Sequence, residues 1–151
     1  MNYFELLNLP TTFTLDLTAL EAAYFSAQRR YHPDRFVGKP AEEKLKAAQI
    51  SANLNDAYHT LKHPLSRARH LLALSGITVL DEANSAKPDK ALLMEIMELQ
   101  EAIAEGGKPN IAALINACEK DLSEAFRNND LDEAKASTIR LSYLYKLHQT
   151  H

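Results

Sequence analysis

At 151 residues, with 46% hydrophobic and 25% charged side chains, the chain has the make-up of a folded globular protein large enough for one domain or two small ones, which excludes disorder as its default state. The net charge of −3 is unevenly spread, +2 over residues 1–75 and −5 over residues 76–151, so neither half is basic enough to suggest nucleic acid and two surfaces with different partners are expected. A lone cysteine, Cys118, excludes an intrachain disulfide and a Cys-based zinc site, and no window approaches the roughly 18 apolar residues of a membrane span.

The opening Met1-Asn2-Tyr3-Phe4-Glu5-Leu6-Leu7 has neither a basic n-region nor a long apolar run, which leads to the expectation of a soluble protein of the cytoplasm, with no membrane partner. Long stretches of Ala, Leu, Glu and Lys, without apolar/polar alternation, predict an all-α fold. Tyr3, Leu6 and Leu7 form one face of a short first helix that closes before Pro10. Asp16 or Thr18 caps a second helix, whose stripe is Leu20, Tyr24, Ala27 and Tyr31 and whose end is set by Pro33. A third helix starts near Ala41, with Ala47, Ser51, Leu54, Tyr58 and Leu61, broadened by Ile50 and Ala57, facing the second in an antiparallel hairpin. Pro64 opens a fourth, with Leu65, Ala68, Leu71 and Leu72 inward, and Gly76 breaks it.

Residues 76–87 read as a connector between a first domain, 1–75, and a second, 88–151. Three helices fit the latter, over about 88–105, 110–128 and 131–148, the last with Asp130 and Glu133 as a capping box. Short loops between successive helices make this a three-helix bundle. Ile111, Ile115, Cys118, Leu122 and Phe126 give its middle helix a core stripe, so Cys118 reads as structural.

Two features exceed what folding requires. The first is Tyr31-His32-Pro33-Asp34-Arg35-Phe36 at the hairpin tip, where a proline of fixed φ stands between an imidazole and a carboxylate, with an aromatic anchor on either side. Arg29 and Arg30 precede it on the second helix. A catalytic His32/Asp34 pair would need a nucleophile or an orienting group, and no Gly-x-Ser-x-Gly or Cys-centred signature provides one, so no catalytic residue is expected. His59 and His63, at i, i+4, with His70 beyond, are a conceivable but weak metal constellation.

The second feature is the helix after Pro88. Leu92, Ile96, Leu99 and Ile103 make its core stripe, yet Leu93 and Met97 lie about 90 to 130° from the stripe's centre and Met94 about 170° from it, beside Glu98 and Glu101. Leu and Met so placed either pack against neighbouring elements or dock a protein partner. The last helix shows a similar excess, Ile139, Tyr143 and Leu147 lying on one side and Leu141 and Tyr145 on another.

The tripeptide His32-Pro33-Asp34, behind a helix bearing Arg29 and Arg30 and ahead of Leu54-Asn55-Asp56-Ala57-Tyr58-His59-Thr60-Leu61, resembles the J-domain pattern. Over essentially its whole length the chain is similar to the HscB family of J-proteins of iron–sulfur cluster biogenesis. The resemblance rests especially on Leu61-Lys62-His63-Pro64-Leu65-Ser66-Arg67-Ala68, Leu72-Ala73-Leu74-Ser75-Gly76, and Leu92-Leu93-Met94-Glu95 with Glu98, Leu99 and Glu101. It implies a co-chaperone that is not itself an enzyme and carries no cofactor. His32, Pro33, Asp34, Arg29, Arg30 and Arg35 would engage a DnaK-type chaperone, HscA, and stimulate its ATP hydrolysis. Leu93, Met94, Met97, Glu98, Glu101 and Tyr143 would bind the IscU-type scaffold. Arg35 stands where the family commonly has lysine, and the chain ends at His151, short of the family's usual last turns. The cysteine-rich N-terminal extension of some eukaryotic relatives does not precede Met1, which suggests a bacterial form. A general J-protein for unfolded clients and a histidine metal-binding protein are the competing expectations.

Overall fold

A computed structural model describes residues 2–79 and 88–150, divided between two units, 1–67 and 68–151. Its described elements are all helical: α1 (Tyr3–Leu6), α2 (Leu17–Arg30), a short 3-10 turn (Pro33–Phe36), α3 (Ala41–Lys62), α4 (Pro64–Leu74), α5 (Lys90–Ala104), α6 (Ile111–Arg127) and α7 (Leu131–Thr150). Of the expected connector, residues 80–87 lie outside the described residues.

In the first unit α2 and α3 form the predicted hairpin, with α1 and the 3-10 turn packed on α3. Leu20, Ala47, Leu54, Ala57 and Leu61 are buried. Polar ties run up the hairpin beside them: Tyr24 Oη donates to Asn55 Oδ1 at 2.8 Å, its ring stacks on Tyr58 at 4.2 Å, and Ser51 Oγ donates to Gln28 Oε1 at 2.7 Å. Asp16, rather than Thr18, caps α2, its carboxylate accepting from the backbone N–H groups of Thr18 and Ala19. The inward face of α1 is corrected too. Helical structure stops at Leu6, and it is Phe4 and Leu7 that are buried, whereas Tyr3 and Leu6 are half-exposed.

Four helix ends share one device. Asn8, Gly76, Gly106 and Asn129 have positive φ, and in each case the next residue's N–H reaches back five residues: Leu9 to Phe4, Ile77 to Leu72, Gly107 to Ala102, Asp130 to Ala125. This left-handed cap satisfies carbonyls that the helix leaves open, and glycine or asparagine adopts it at least cost.

The junction of α3 and α4 solves the same problem with side chains. Pro64 has no N–H, so the last carbonyls of α3 need other donors. Ser66 Oγ donates to Thr60 O at 2.6 Å, while the buried Arg67 donates to Leu61 O at 2.8 Å, to Lys62 O at 3.4 Å and across to Phe13 O at 2.7 Å. Its guanidinium also lies over the Phe13 ring, 5.3 Å from the centroid.

In the second unit α5, α6 and α7 form the three-helix bundle, with α6 and α7 sharing the larger contact and α5 lying on α7. Ile111, Ile115, Cys118, Leu122 and Ala125 face Ala134, Thr138, Leu141, Leu144 and Leu147 as the core, while Phe126 is only half-buried. Of the stripe expected on α5, Ile96 alone is buried; Leu92, Leu99 and Ile103 are partly exposed, consistent with α5's smaller contact. Asp130 caps α7 by accepting from the Glu133 N–H at 3.2 Å, and the Glu133 carboxylate accepts from Ser137 Oγ.

Candidate functional sites

Helix α2 ends at Arg30, and the chain does not simply loop to α3. His32 is in extended conformation, and its ring Nδ1 accepts from the Asp34 N–H at 3.2 Å, capping the 3-10 turn that Pro33 opens. That bond requires Nδ1 without its hydrogen, so the neutral ring carries its proton on Nε2. The His32 side chain is 60% exposed and that of Asp34 is 89% exposed, with Nδ1 3.6 Å from Asp34 Oδ2. The tripeptide thus spends one imidazole nitrogen on its own backbone and presents the other nitrogen and the carboxylate outward.

Arg29, His32, Asp34 and Arg35 line one shallow depression together with Gln28 and Phe25. Pro33 lines a neighbouring recess instead, with Tyr31, Phe36 and Val37, and Arg30 is exposed on the last turn of α2. Phe25 was not among the expected residues, although it is half-exposed. The signal was present: Phe25, Arg29 and His32 are spaced i, i+4, i+7, off the Leu20–Tyr24 stripe.

On α5, Leu93, Met94 and Met97 are 47%, 53% and 58% exposed, and Glu98 and Glu101 are exposed beside them. At 100° per residue these five occupy one continuous face of about 140°. Asp89 begins the helix by accepting from the Leu92 N–H at 2.8 Å. Helix α5 is fastened to α7 by Glu95 and Arg140, whose Nε and Nη2 donate to the two carboxylate oxygens at 2.8 and 2.9 Å. This pairing holds the Glu95 carboxyl below its usual range and raises the Arg140 guanidinium further.

Since α5 and α7 run in the same direction in the bundle, the tie also sets their register. Tyr143, half-buried, stands three residues beyond Arg140 as Glu98 stands three beyond Glu95, so the two come level along the helices. Tyr145 belongs elsewhere, its hydroxyl donating to Glu119 at 2.7 Å.

Cys118 is fully buried, donates to Ser137 O at 3.2 Å, and has its thiol pushed up to about 11 by burial, so it is a packing residue rather than a nucleophile. Among the described residues no three His, Cys, Asp or Glu side chains converge as metal ligands, and His59 packs edge-on against Tyr58. Nor is any described helix long and apolar enough to cross a membrane.

Known proteins resemble this chain in sequence and fold. Residues 88–150 match the family model described as the HSCB C-terminal oligomerisation domain. A co-chaperone protein HscB homolog from Shewanella amazonensis is 37% identical over 163 residues, covering 98% of this chain and 93% of that protein. Another from Shewanella loihica is 46% identical over 105 residues, which take in 70% of this chain and 60% of the relative's length. The solved structure of the chaperone HscB from Vibrio cholerae superposes with a TM-score of 0.83 at 33% identity, over 99% of this chain and 94% of that one.

Proposed function

The chain belongs to the HscB co-chaperone family, and from that premise we propose that it bridges two proteins of iron–sulfur cluster biogenesis in the cytoplasm. Residues 1–75 act on a DnaK-type chaperone, HscA, residues 88–151 hold the IscU-type scaffold, and residues 76–87 connect the two tasks. Neither task is catalytic: the ATP is hydrolysed by the chaperone, and the chain needs no cofactor of its own.

At the chaperone-facing end, Asp34 offers a carboxylate to a cationic group while Arg29, Arg30 and Arg35 steer toward and hold an acidic surface. His32 and Pro33 restrict how that carboxylate is presented, His32 by capping the turn and Pro33 by fixing φ. At the scaffold-facing end, Leu93, Met94 and Met97 supply the apolar centre, Glu98 and Glu101 its acidic border, and Tyr143 an aromatic edge. Binding the scaffold while triggering hydrolysis would lock the chaperone onto its client.

The single observation that carries this reading beyond a general J-protein is the exposure of Leu93, Met94 and Met97 on one face with two glutamates. Exposed Leu and Met in a continuous patch are the ordinary signature of a protein-binding face. The test is the chaperone's ATPase with and without scaffold. His32→Gln is expected to lose about tenfold or more in stimulation and to keep scaffold binding, the capping acceptor and the outward nitrogen both being altered. Leu93→Ala/Met97→Ala is expected to lose the scaffold-dependent increment and keep basal stimulation. Unchanged stimulation by His32→Gln, or scaffold binding indifferent to the double change, overturns the assignment.

A further inference from the structure

Phe25 lies off the buried side of α2. It is turned about 130° from the centre of the stripe formed by Leu20, Tyr24 and Ala27, and Arg29 follows one turn later, about 40° further round. Half of its surface is exposed to water. A single exposed apolar side chain needs no function. Phe25 differs in its surroundings, since it shares one depression with Gln28, Arg29, His32, Asp34 and Arg35.

The ring is also braced from behind. Tyr24 meets it with 5.4 Å between centroids, and Tyr24 is itself stacked on Tyr58 at 4.2 Å and bonded through its hydroxyl to Asn55. An aromatic row thus runs from α3 through α2 to the outer surface, and a ring so held gives up little freedom on binding. Of the polar groups around it, Gln28 exchanges two hydrogen bonds with Ser51 of α3, and His32 Nδ1 caps its own turn. Phe25, Arg29, Asp34 and Arg35 are left to meet a partner.

Ion pairs between exposed groups contribute little and weaken with salt. An apolar contact beside them excludes water, which strengthens each pair, and adds binding that salt does not screen. We propose that Phe25 is the apolar anchor of the chaperone-facing surface: its ring seats on an apolar side chain of the DnaK-type chaperone, bordered by the acidic groups that Arg29 and Arg35 hold. This role rests on the chaperone reading of the His32-Pro33-Asp34 loop and divides the labour within that surface. The loop triggers hydrolysis, and Phe25 sets how tightly the loop is brought to its target.

Titrating wild type and variants into the chaperone and following ATP hydrolysis at low and at high salt is the test, with circular dichroism to confirm folding. Phe25→Ala is expected to raise the concentration for half-maximal stimulation about tenfold and to leave the maximal rate unchanged. Phe25→Leu, still apolar, recovers most of the loss. The Phe25→Ala deficit should persist at high salt, whereas that of Arg29→Ala should shrink, because the wild type then loses the same ion pair. An unchanged half-maximal concentration, a fall in the maximal rate alone, or a deficit that high salt abolishes overturns the anchor. His32→Gln keeps the two readings apart. Loss of stimulation there with none in Phe25→Ala strikes the anchor and leaves the chaperone surface standing, while stimulation untouched by either change removes both.

Discussion

At the tip of the α2–α3 hairpin the exposed groups are polar and the backbone is irregular; on the outer side of α5 they are apolar and the backbone is an ordinary helix. The two surfaces therefore depend on different supports. A loop presents a carboxylate in a defined direction only when its backbone is held, which His32 does at the turn, while Arg67 closes the hairpin's opposite end at the last carbonyls of α3. A helix face needs no such scaffolding, since its backbone is bonded internally, but it must be kept exposed and at a fixed rotation. Ile96 on the inner side and the Glu95–Arg140 pair do this for α5. Polar recognition is thus held by side-chain-to-backbone bonds, and apolar recognition by packing and one ion pair.

The largest effect that would test this contrast is expected from Arg67→Met. It leaves the carbonyls of Phe13, Leu61 and Lys62 without that donor in a buried setting, at a cost of about 3 kcal/mol. Chemical denaturation should show the loss. Stimulation of the chaperone should fall with it while scaffold binding survives, because every group holding α5 lies in the second unit. Equal loss of both activities would show that the two surfaces do not stand on separate supports.

Next come two neighbours on α5 with opposite expectations. Ile96→Ala empties a buried site and should cost about 2 to 3 kcal/mol. Met97→Ala, one residue on and more than half exposed, should change stability by less than about 0.5 kcal/mol, yet weaken scaffold binding by roughly tenfold. Denaturation and titration calorimetry on the same two proteins separate the effects. A Met97→Ala protein as unstable as Ile96→Ala would mean that the outer face is part of the core.

How far these supports were legible follows from the range over which each signal acts. Helix existence, the hairpin and the stripe through Ile111, Ile115, Cys118 and Leu122 follow from periodicity, which is local. So does the apolar excess at Leu93, Met94 and Met97, since too many apolar residues around one helix is a property of that helix alone, whereas their exposure, as opposed to packing on a neighbour, is a three-dimensional fact. Phe4 replaced Tyr3 as the buried residue of α1 because a single turn is too short for periodicity to decide its inner face. Arg67 was visible as part of a distinctive stretch, but its role required knowing that Phe13 O lies beside it, 54 positions away. The same holds for Glu95 and Arg140, 45 positions apart, which no local pattern pairs. The tripeptide was recognisable as a motif, whereas the cap His32 gives it, and the place of Phe25 beside it, are three-dimensional facts.

The smallest expected effect is on the Glu95–Arg140 tie, and pH isolates it. The arginine lowers the Glu95 pKa in the folded state, so the pair's contribution is fully present above the ordinary carboxylate value of 4.5 and is lost as pH falls through the lower folded value. Because the pair is partly exposed, its worth is about 0.5 to 1 kcal/mol. Urea denaturation of wild type and Glu95→Gln should therefore differ by that amount near neutrality and converge in acid. Burial also lowers the His70 pKa, and its contribution, present above the ordinary 6.5, is lost on acidification as well. That loss is common to both proteins and cancels in their difference. If the tie also sets the rotation of α5, Glu95→Gln should reduce scaffold affinity by more than its small stability cost, since Tyr143 would no longer be held level with Glu98. A variant with the expected acid convergence but unchanged scaffold affinity would remove Tyr143 from the docking face and leave that face to α5 alone.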